Sequence, residues 1–208
     1  MKLIYVYIMD NMAEWELADI LQAFSTQSQL SQSKVAFKVV TVGATTDPIT
    51  TLGGLTILPE ITVSDMSDDK VVALLLPGGD NWAMELNQPI LDKAELYLSE
   101  NILVGAICGA TLALSNRGTL NQYHHTSNSS DYLKMFSSNY SGEALYHNTN
   151  SYCDKNLITA NSASGLDFAK DIITSLQVYP QDVIEAWYQY FKVGNPELFS
   201  DLMNKANQ

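Results

Sequence analysis

Short, almost continuous apolar runs that alternate with longer amphipathic segments constrain the fold of this chain more than any other feature. The runs predict five strands, at residues 3–9, 37–43, 71–79, 103–108 and 157–161. Several consist almost wholly of Val, Ile and Leu, a pattern typical of parallel strands that are buried on both faces. A further segment, TTLGGLTILPEITV, has a Gly-Gly between apolar residues and predicts a small hairpin at the sheet edge.

The segments between the strands have the spacing of amphipathic helices, and the polar stretch at 25–34 predicts a helix end followed by a loop. The predicted helices span residues 13–24, 88–101, 109–118, 164–176, 180–194 and 196–206. Alternating strands and helices predict an α/β fold, a flavodoxin-like three-layer sandwich with a mostly parallel sheet and helices on both faces. A chain of 208 residues is long enough for one such domain and hardly for two, so we expect a single domain over 1–208.

Charge and cysteine content exclude several classes of function. The net charge is −12 and no cluster of Lys and Arg occurs, which argues against nucleic acid and against anionic membrane surfaces as partners. The apolar N-terminal run is too short for a signal peptide or a membrane span. Two cysteines do not make a disulfide framework. We therefore expect a cytoplasmic protein with reduced thiols, in which Cys153 is a bystander in a polar turn.

One of the two cysteines, Cys108, lies where a strand ends and a helix begins, in the segment LVGAICGATLAL. This is the setting of a nucleophile elbow, and the small neighbours Ala106 and Ala110 suit so tight a turn. The N-terminus of the following helix favours thiolate over thiol, so we expect a lowered pKa at Cys108. A buried structural cysteine is the alternative interpretation.

Two other segments directly follow predicted strands and therefore lie at the same edge of the predicted sheet as Cys108. Ligand sites in such folds lie at this edge, outside the carboxyl ends of the strands. In LLLPGGDNW, the N–H groups of Gly78 and Gly79, together with that of Gly109, are candidates for an oxyanion hole, although the segment also suits an ordinary turn. In AEWEL, Glu16 is placed to reach the Cys108 sulfur. A buried carboxyl group there tends to be protonated and to donate a hydrogen bond to the thiolate.

These motifs resemble the ThiJ/PfpI superfamily, which is similar to class I glutamine amidotransferases. The likeness rests on AICGA after a buried strand, LPGGD one strand earlier and Glu16 after the first strand, and it extends over nearly the whole chain. It is closest to the bacterial intracellular protease/amidase-like subgroup. The resemblance implies Cys108 as nucleophile, Glu16 as its hydrogen-bond partner, Gly79 and Gly109 as oxyanion donors, and a homodimer.

The sequence departs from that family at the histidine. A hydrolytic cysteine needs a base, and some relatives carry it directly after the Cys, where this chain has Gly109. Others carry it after the elbow helix, where the segment here is HHTSN and the family's histidine position falls on Asn128. His125, just upstream, is the best candidate for the base. The alternative is that His124 and His125 are solvated loop residues.

Two functions follow from these residues. The first is a cysteine-dependent hydrolase, of protease/amidase or glutamine amidotransferase-like type, acting on a small amide, a peptide or a reactive carbonyl compound. In it Cys108 attacks, Gly79 and Gly109 bind the oxyanion, Glu16 tunes or protonates, and His125 moves protons. The alternative is a non-hydrolytic oxidative-stress protein in which Cys108 is oxidised to a sulfinate that Glu16 stabilises.

The sequence gives no reason to expect a metal or a cofactor. It contains neither a G-x-G-x-x-G nor a P-loop motif, and the His-His pair has no zinc-ligand spacing around it. The expected partners are a small-molecule or peptide substrate and a second copy of the chain.

Overall fold

A computed structural model of the protein describes residues 1–31 and 35–208. Its centre is a seven-stranded sheet with the strand order β5-β2-β1-β6-β7-β9-β8. The strands of this sheet are β1 Lys2–Tyr7, β2 Phe37–Gly43, β5 Ile61–Thr62, β6 Val71–Leu76, β7 Leu103–Ile107, β8 Ser151–Asp154 and β9 Leu157–Ala160. All neighbouring pairs are parallel except β8 with β9. The predicted flavodoxin-like α/β fold with a mostly parallel sheet is confirmed.

Helices surround this sheet. They are α1 Ala18–Ser25, α2 Gln27–Leu30, α3 Gln88–Ser99, α4 Gly109–Asn116, α5 Ser130–Phe136, α6 Gly165–Ser175, α7 Gln181–Val193 and α8 Pro196–Ala206. Short 3-10 turns connect them, among them Glu14–Leu17 and Asn81–Ala83. The polar stretch 25–34 contains the predicted helix end, at Ser25, but then forms α2, and its residues 32–34 lie outside the described residues. No helix in the described part of the chain is long and apolar enough to cross a membrane.

The side chains of the central strands show that both faces of the sheet are covered. Leu74, Leu75 and Leu76 on β6 are all inaccessible to solvent, although successive side chains on a strand point to opposite faces. Both faces of the strand are therefore covered, as its continuous hydrophobicity predicted. Gly105 on β7 leaves room for the ring of Phe168 on α6, since a Cβ there would collide with that ring.

Two edge features differ from the sequence prediction. The predicted hairpin is a separate antiparallel pair, β3 Ile49–Thr50 with β4 Thr56–Ile57, and the end of the same segment adds β5 to the main sheet. The segment around Cys153, predicted as a polar turn, is the antiparallel edge strand β8. None of its four side chains is fully buried, so the strand has no hydrophobic pattern and its pairing with β9 was not visible in the sequence.

The carboxyl ends of β1, β6 and β7 converge at one place, because these three strands are neighbours in the sheet. The loop after β1 is joined to the loop after β6 by a bridge between Met12 and Gly79, and the Ala13 N–H donates to the carbonyl of Gly78 at 2.9 Å. This junction brings the residues after all three strands into contact.

Candidate active site

Cys108 is held in a strained backbone conformation between β7 and α4. Its φ is +56° and its ψ is −120°, a combination that side-chain-bearing residues rarely adopt and that concentrates at functional sites. The Cys108 N–H donates to the carbonyl of Ala160 at the end of β9, at 3.0 Å. The next residue has to be glycine, since a Cβ at Gly109 would collide with the Gly79 carbonyl. The local geometry is that of a nucleophile elbow, with a half-buried thiol.

Glu16 is buried against this thiol. Its side chain is only 2% exposed, and its Oε2 accepts the N–H of Gly78 at 2.7 Å. The carboxyl group is also hydrogen-bonded to Cys108. Burial raises the pKa of Glu16 to about 7, although the bonds from Gly78 and Cys108 act in the opposite direction. The carboxyl group is therefore partly protonated at neutral pH.

The thiol does not have the lowered pKa that the helix N-terminus predicted. Burial raises the pKa of Cys108 to about 11, and the negative charge of Glu16 adds to that effect. The Asn128 amide and the Gly109 N–H lower it but do not outweigh the burial. Desolvation disfavours the thiolate and the carboxylate together, so the two groups hold at least one proton between them.

Asn128 occupies the position beside the sulfur where a histidine was sought. Its Nδ2 lies 3.5 Å from the Cys108 Sγ, and its Oδ1 accepts the N–H of Ser162 at 2.9 Å. The bond from Ser162 fixes the orientation of the amide, so that its NH₂ side faces the sulfur. The sequence marked Asn128 only as the place of the family's histidine, and nothing local to it indicated this contact.

Two buried hydroxyl groups form hydrogen bonds that hold the elbow in place. The Thr111 Oγ1 donates to the carbonyl of Cys108 at 2.6 Å and lies 2.7 Å from the Ser127 Oγ. Thr111 and Ser127 are both buried. Because Thr111 gives its proton to Cys108, the Ser127 hydroxyl is the donor in the second bond. These two hydrogen bonds connect the segment that carries Asn128 to the turn that carries the thiol.

His125 is not brought to the thiol. Its side chain is fully buried, with Nδ1 2.8 Å from the Tyr123 carbonyl and Nε2 2.9 Å from the Tyr140 hydroxyl. Both ring nitrogens are thus engaged by groups other than the sulfur. Burial lowers the pKa of His125, so the ring is neutral at physiological pH. The interpretation of His125 as a solvated loop residue is wrong, since it is a core histidine.

The other two histidines form a separate surface pair. His124 Nδ1 lies 2.9 Å from His147 Nε2, and the His147 ring stacks on Tyr152 with 3.9 Å between ring centres. Within residues 1–31 and 35–208, no group of three or more His, Cys, Asp or Glu side chains is placed to hold a metal ion.

The three predicted glycines have different roles at the site. The Gly78 N–H is already bonded to Glu16, so it is not free to bind an oxyanion. The Gly79 N–H makes no hydrogen bond within the described chain, and the Gly109 N–H is directed at the Cys108 sulfur. Gly79 and Gly109 remain the candidate oxyanion donors, and their backbones are in contact.

Comparison with known proteins supports the resemblance seen in the sequence. Residues 2–175 match the DJ-1/PfpI family. An uncharacterized protease of Bacillus subtilis, YoaZ, is 38% identical over 205 residues, which cover 99% of this chain and 98% of the relative. The crystal structure of a ThiJ/PfpI family protein from Bacillus anthracis superposes with a TM-score of 0.95 at 37% identity, covering 100% of this chain and 98% of the other. A DJ-1 superfamily protein from Agrobacterium tumefaciens has a TM-score of 0.80 at 27% identity, covering 93% and 99%.

Proposed function

The chain belongs to the DJ-1/PfpI family, and from that premise we propose that it is a cysteine-dependent hydrolase that acts on a small amide, a peptide or a reactive carbonyl compound. The observation that carries the proposal is the strained elbow, which holds a half-buried thiol in contact with Glu16 and Asn128. Strain of this kind persists only where the surrounding structure enforces it. The protease name of the Bacillus subtilis relative supports the same class of reaction.

The first half of the reaction uses the proton that Glu16 and Cys108 share. In the reactive form the proton lies on Glu16 and the sulfur is a thiolate, which the Asn128 amide and the Gly109 N–H stabilise. With an amide or peptide substrate, the sulfur attacks the carbonyl carbon, a C–S bond forms, and the electron pair of the C=O bond moves to oxygen. In this proposal the Gly79 and Gly109 N–H groups donate hydrogen bonds to that oxyanion. Collapse expels the amine, which takes the proton from Glu16.

The second half returns the enzyme to its starting state. Water attacks the thioester while the Glu16 carboxylate takes a proton from it. Collapse of the second tetrahedral species breaks the C–S bond and releases the carboxylic acid. The thiolate and the protonated carboxyl group are thereby restored. A pKa of about 7 at Glu16 suits a group that gives and takes a proton near neutral pH.

This mechanism assigns no proton transfer to His125. The histidine proposed from the sequence has both nitrogens bonded to Tyr123 and Tyr140. Asn128 cannot replace it as a base, because an amide does not accept a proton at these pH values. Glu16 is then the titratable group in contact with the sulfur.

Hydrolysis is tested with fluorogenic peptide amides, small aliphatic amides and reactive carbonyl compounds. We expect turnover by the wild-type protein, its loss in Cys108→Ala, and full turnover in Cys153→Ser, which removes the other thiol of the chain. Turnover that survives in Cys108→Ala would contradict the assignment of the nucleophile. No turnover of any substrate class by the wild-type protein would exclude the hydrolase.

A second candidate function is favoured by the position of His125, whose ring nitrogens are bonded to Tyr123 and Tyr140 and not to the sulfur. In it a peroxide oxidises Cys108: an S–O bond forms, the O–O bond breaks, and the departing oxygen takes a proton. A second peroxide gives the sulfinate, to which protonated Glu16 and the Asn128 amide donate hydrogen bonds. Mass spectrometry after peroxide treatment separates the two functions. Gain of two oxygen atoms at Cys108, with no turnover of amide or carbonyl substrates, is the result expected for the sensor.

The homodimer is also part of the proposal. An exposed apolar surface, formed by Trp15, Leu52 and Leu55, lies on two joined segments: the Gly53 N–H at the hairpin tip donates to Glu14 at 3.2 Å. Such a surface favours association with a second copy. We expect light scattering to give the mass of a dimer, Leu55→Asp to give a monomer, and the exposed control Leu96→Asp to remain dimeric. A monomeric wild-type protein would exclude the dimer.

The expected cytoplasmic location is a proposal as well, supported by two cysteines that are free of a disulfide. Cell fractionation with an antibody to the protein tests it, and recovery outside the cytoplasmic fraction would contradict it.

A further inference from the structure

A pocket of about 290 Å³ lies beside the elbow, between α4 and the 3-10 turn Asn81–Ala83. We call it the α4 pocket. Its walls include Asp80, Trp82, Leu91, Leu112, Ala113 and Tyr132. We infer that the α4 pocket binds the side chain next to the scissile carbonyl and selects an uncharged apolar group. This inference rests on the proposed attack by Cys108 and adds a substrate class to it.

Two glycines of the candidate oxyanion site belong to the lining of the pocket. Gly79 and Gly109, whose N–H groups are the candidate oxyanion donors, both line it. No side chain separates these two glycines, because their backbones are packed directly against each other. A carbonyl group bound at these two glycines therefore lies at the wall of the α4 pocket.

The apolar wall of the pocket is fixed in place. The Trp82 Nε1 donates to the Pro77 carbonyl at 3.1 Å, and its ring lies 5.6 Å from that of Tyr7. The Gln88 Nε2 donates to the Trp82 carbonyl at 3.2 Å. The indole N–H and the carbonyl of Trp82 are thus bonded within the protein, so this residue offers a ligand the surface of its ring. Gln88, Asn116 and Tyr132 add polar groups to the lining. A preformed pocket that combines apolar walls with a small number of polar groups is typical of small-molecule sites.

The charge around the pocket excludes anionic groups. Among the residues of the described chain that line it, Asp80 is the one acidic side chain, and no lysine or arginine is present to pair with a substrate carboxylate. Burial, together with the charges of Cys108 and Asp80, raises the pKa of the Tyr132 phenol, so that this group stays neutral. A neutral apolar side chain is the occupant that meets no unpaired charge there.

The test uses three alkylating probes on a Cys153→Ser background, so that Cys108 is the thiol that reacts. Each probe forms an S–C bond and releases iodide: iodoacetamide is small and neutral, iodoacetate is small and anionic, and N-benzyl iodoacetamide is neutral with an aromatic group. Rates are normalised to those of glutathione with the same probe. We expect the benzyl probe to react about tenfold faster than iodoacetamide, in the range by which apolar pockets discriminate.

Variants locate the effect. Leu112→Trp fills the pocket and should bring the benzyl preference close to one, whereas Leu96→Trp, an exposed position on α3, should keep it. Asp80→Asn should raise the rate of iodoacetate relative to iodoacetamide by roughly threefold, in the range of an exposed charge interaction. Equal normalised rates for the two neutral probes, or a preference unchanged by Leu112→Trp, would overturn the inference.

A second measurement does not depend on thiol chemistry. In Cys108→Ser, N-benzylacetamide should shift the Trp82 indole N–H resonance, and phenylacetate at the same concentration should not. Binding of the amide, without any catalytic turnover by the wild-type protein, would support the binding role of the pocket and contradict the proposed hydrolase function. No shift with either compound would overturn the pocket even if the enzyme turns over small amides.

Discussion

The Nδ2 of Asn128 lies 3.5 Å from the Sγ of Cys108, and the N–H of Ser162 holds the other end of that amide at 2.9 Å. An asparagine so fixed donates a hydrogen bond to sulfur but cannot take a proton from it. The site therefore has a carboxyl group on one side of the thiol and a neutral donor on the other. The proton chemistry of the pair Glu16 and Cys108 follows from this arrangement.

Replacing Asn128 by alanine should raise the apparent pKa of Cys108, because the amide hydrogen bond stabilises the thiolate. The loss of one hydrogen bond to a charged group corresponds to about one pKa unit. The measurement is the pH dependence of iodoacetamide alkylation in a Cys153→Ser background. Asn148→Ala, at an exposed asparagine, serves as the control and should leave the profile unchanged. An unaltered pKa in Asn128→Ala would mean that the 3.5 Å contact has no energetic effect.

Coupling between Glu16 and Cys108 should be visible in the shape of the same profile. With the pKa of Glu16 near 7 and that of the thiol raised by burial, the wild-type alkylation rate should change in two steps, the lower one near pH 7. Glu16→Gln removes one titrating group and should leave a single step. A two-step profile that persists in Glu16→Gln would assign the lower step to another residue.

Stability should depend on pH through the same carboxyl group. The pKa of Glu16 is about 7 in the folded protein against an ordinary value of 4.5, so the folded state binds the proton more tightly. Its contribution to stability is fully present below pH 4.5 and is lost as the pH rises through 7. Relative to Glu16→Gln, the wild-type protein should lose up to about 3 kcal/mol between pH 4 and pH 8. Urea denaturation of both proteins at the two pH values measures this, and a constant difference would contradict it.

His125 should prove to be structural. His125→Ala removes two buried hydrogen bonds and leaves a cavity, so we expect a loss of about 2–4 kcal/mol in the free energy of unfolding. His124→Ala, at the exposed neighbour, should cost less than about 0.5 kcal/mol. Thermal and urea denaturation compare the two. If His125→Ala stays folded yet loses turnover as completely as Cys108→Ala, the histidine moves protons after all.

The protonation of His125 adds a second pH effect, of opposite sign to that of Glu16. Burial lowers the pKa of this ring, so the unfolded chain takes up the proton first as the pH falls. The stability that neutral His125 contributes is present above its ordinary pKa of 6.5 and is lost as the pH falls below it. The wild-type protein should therefore become less stable relative to His125→Ala between pH 7.5 and pH 5.5. A difference in unfolding free energy that does not change would show that the ring titrates alike in both states.

The glycine after the nucleophile should tolerate no side chain. A Cβ at Gly109 would collide with the Gly79 carbonyl, so Gly109→Ala should cost about 1–3 kcal/mol and slow the alkylation of Cys108. Gly54→Ala is the control: its Cβ meets no atom, and its positive φ alone costs about 1 kcal/mol. Alkylation of Cys108 at the wild-type rate in Gly109→Ala would mean that the two loops separate easily.

Much of the fold and part of the site were determined by the sequence alone. Continuous apolar runs such as β6 specify strands buried on both faces, and the change of period at Cys108 marks a strand-to-helix turn. These signals are local, since the hydrophobic period belongs to each segment by itself. Glu16 was predicted from a rule about the fold, since the residues that follow the strands of a parallel α/β sheet lie at one edge.

The tertiary structure decided which side chains complete the site. His125 and Asn128 stand three positions apart in one loop, yet the first is buried against Tyr140 and the second faces the sulfur. Their different environments result from hydrogen bonds to residues that are distant in sequence. The His125 N–H bonds to Leu145, the Thr126 N–H bonds to Thr159, and the Ser162 N–H orients Asn128. The raised pKa of Cys108 has the same origin, because desolvation depends on everything packed around a group and not on its neighbours in sequence.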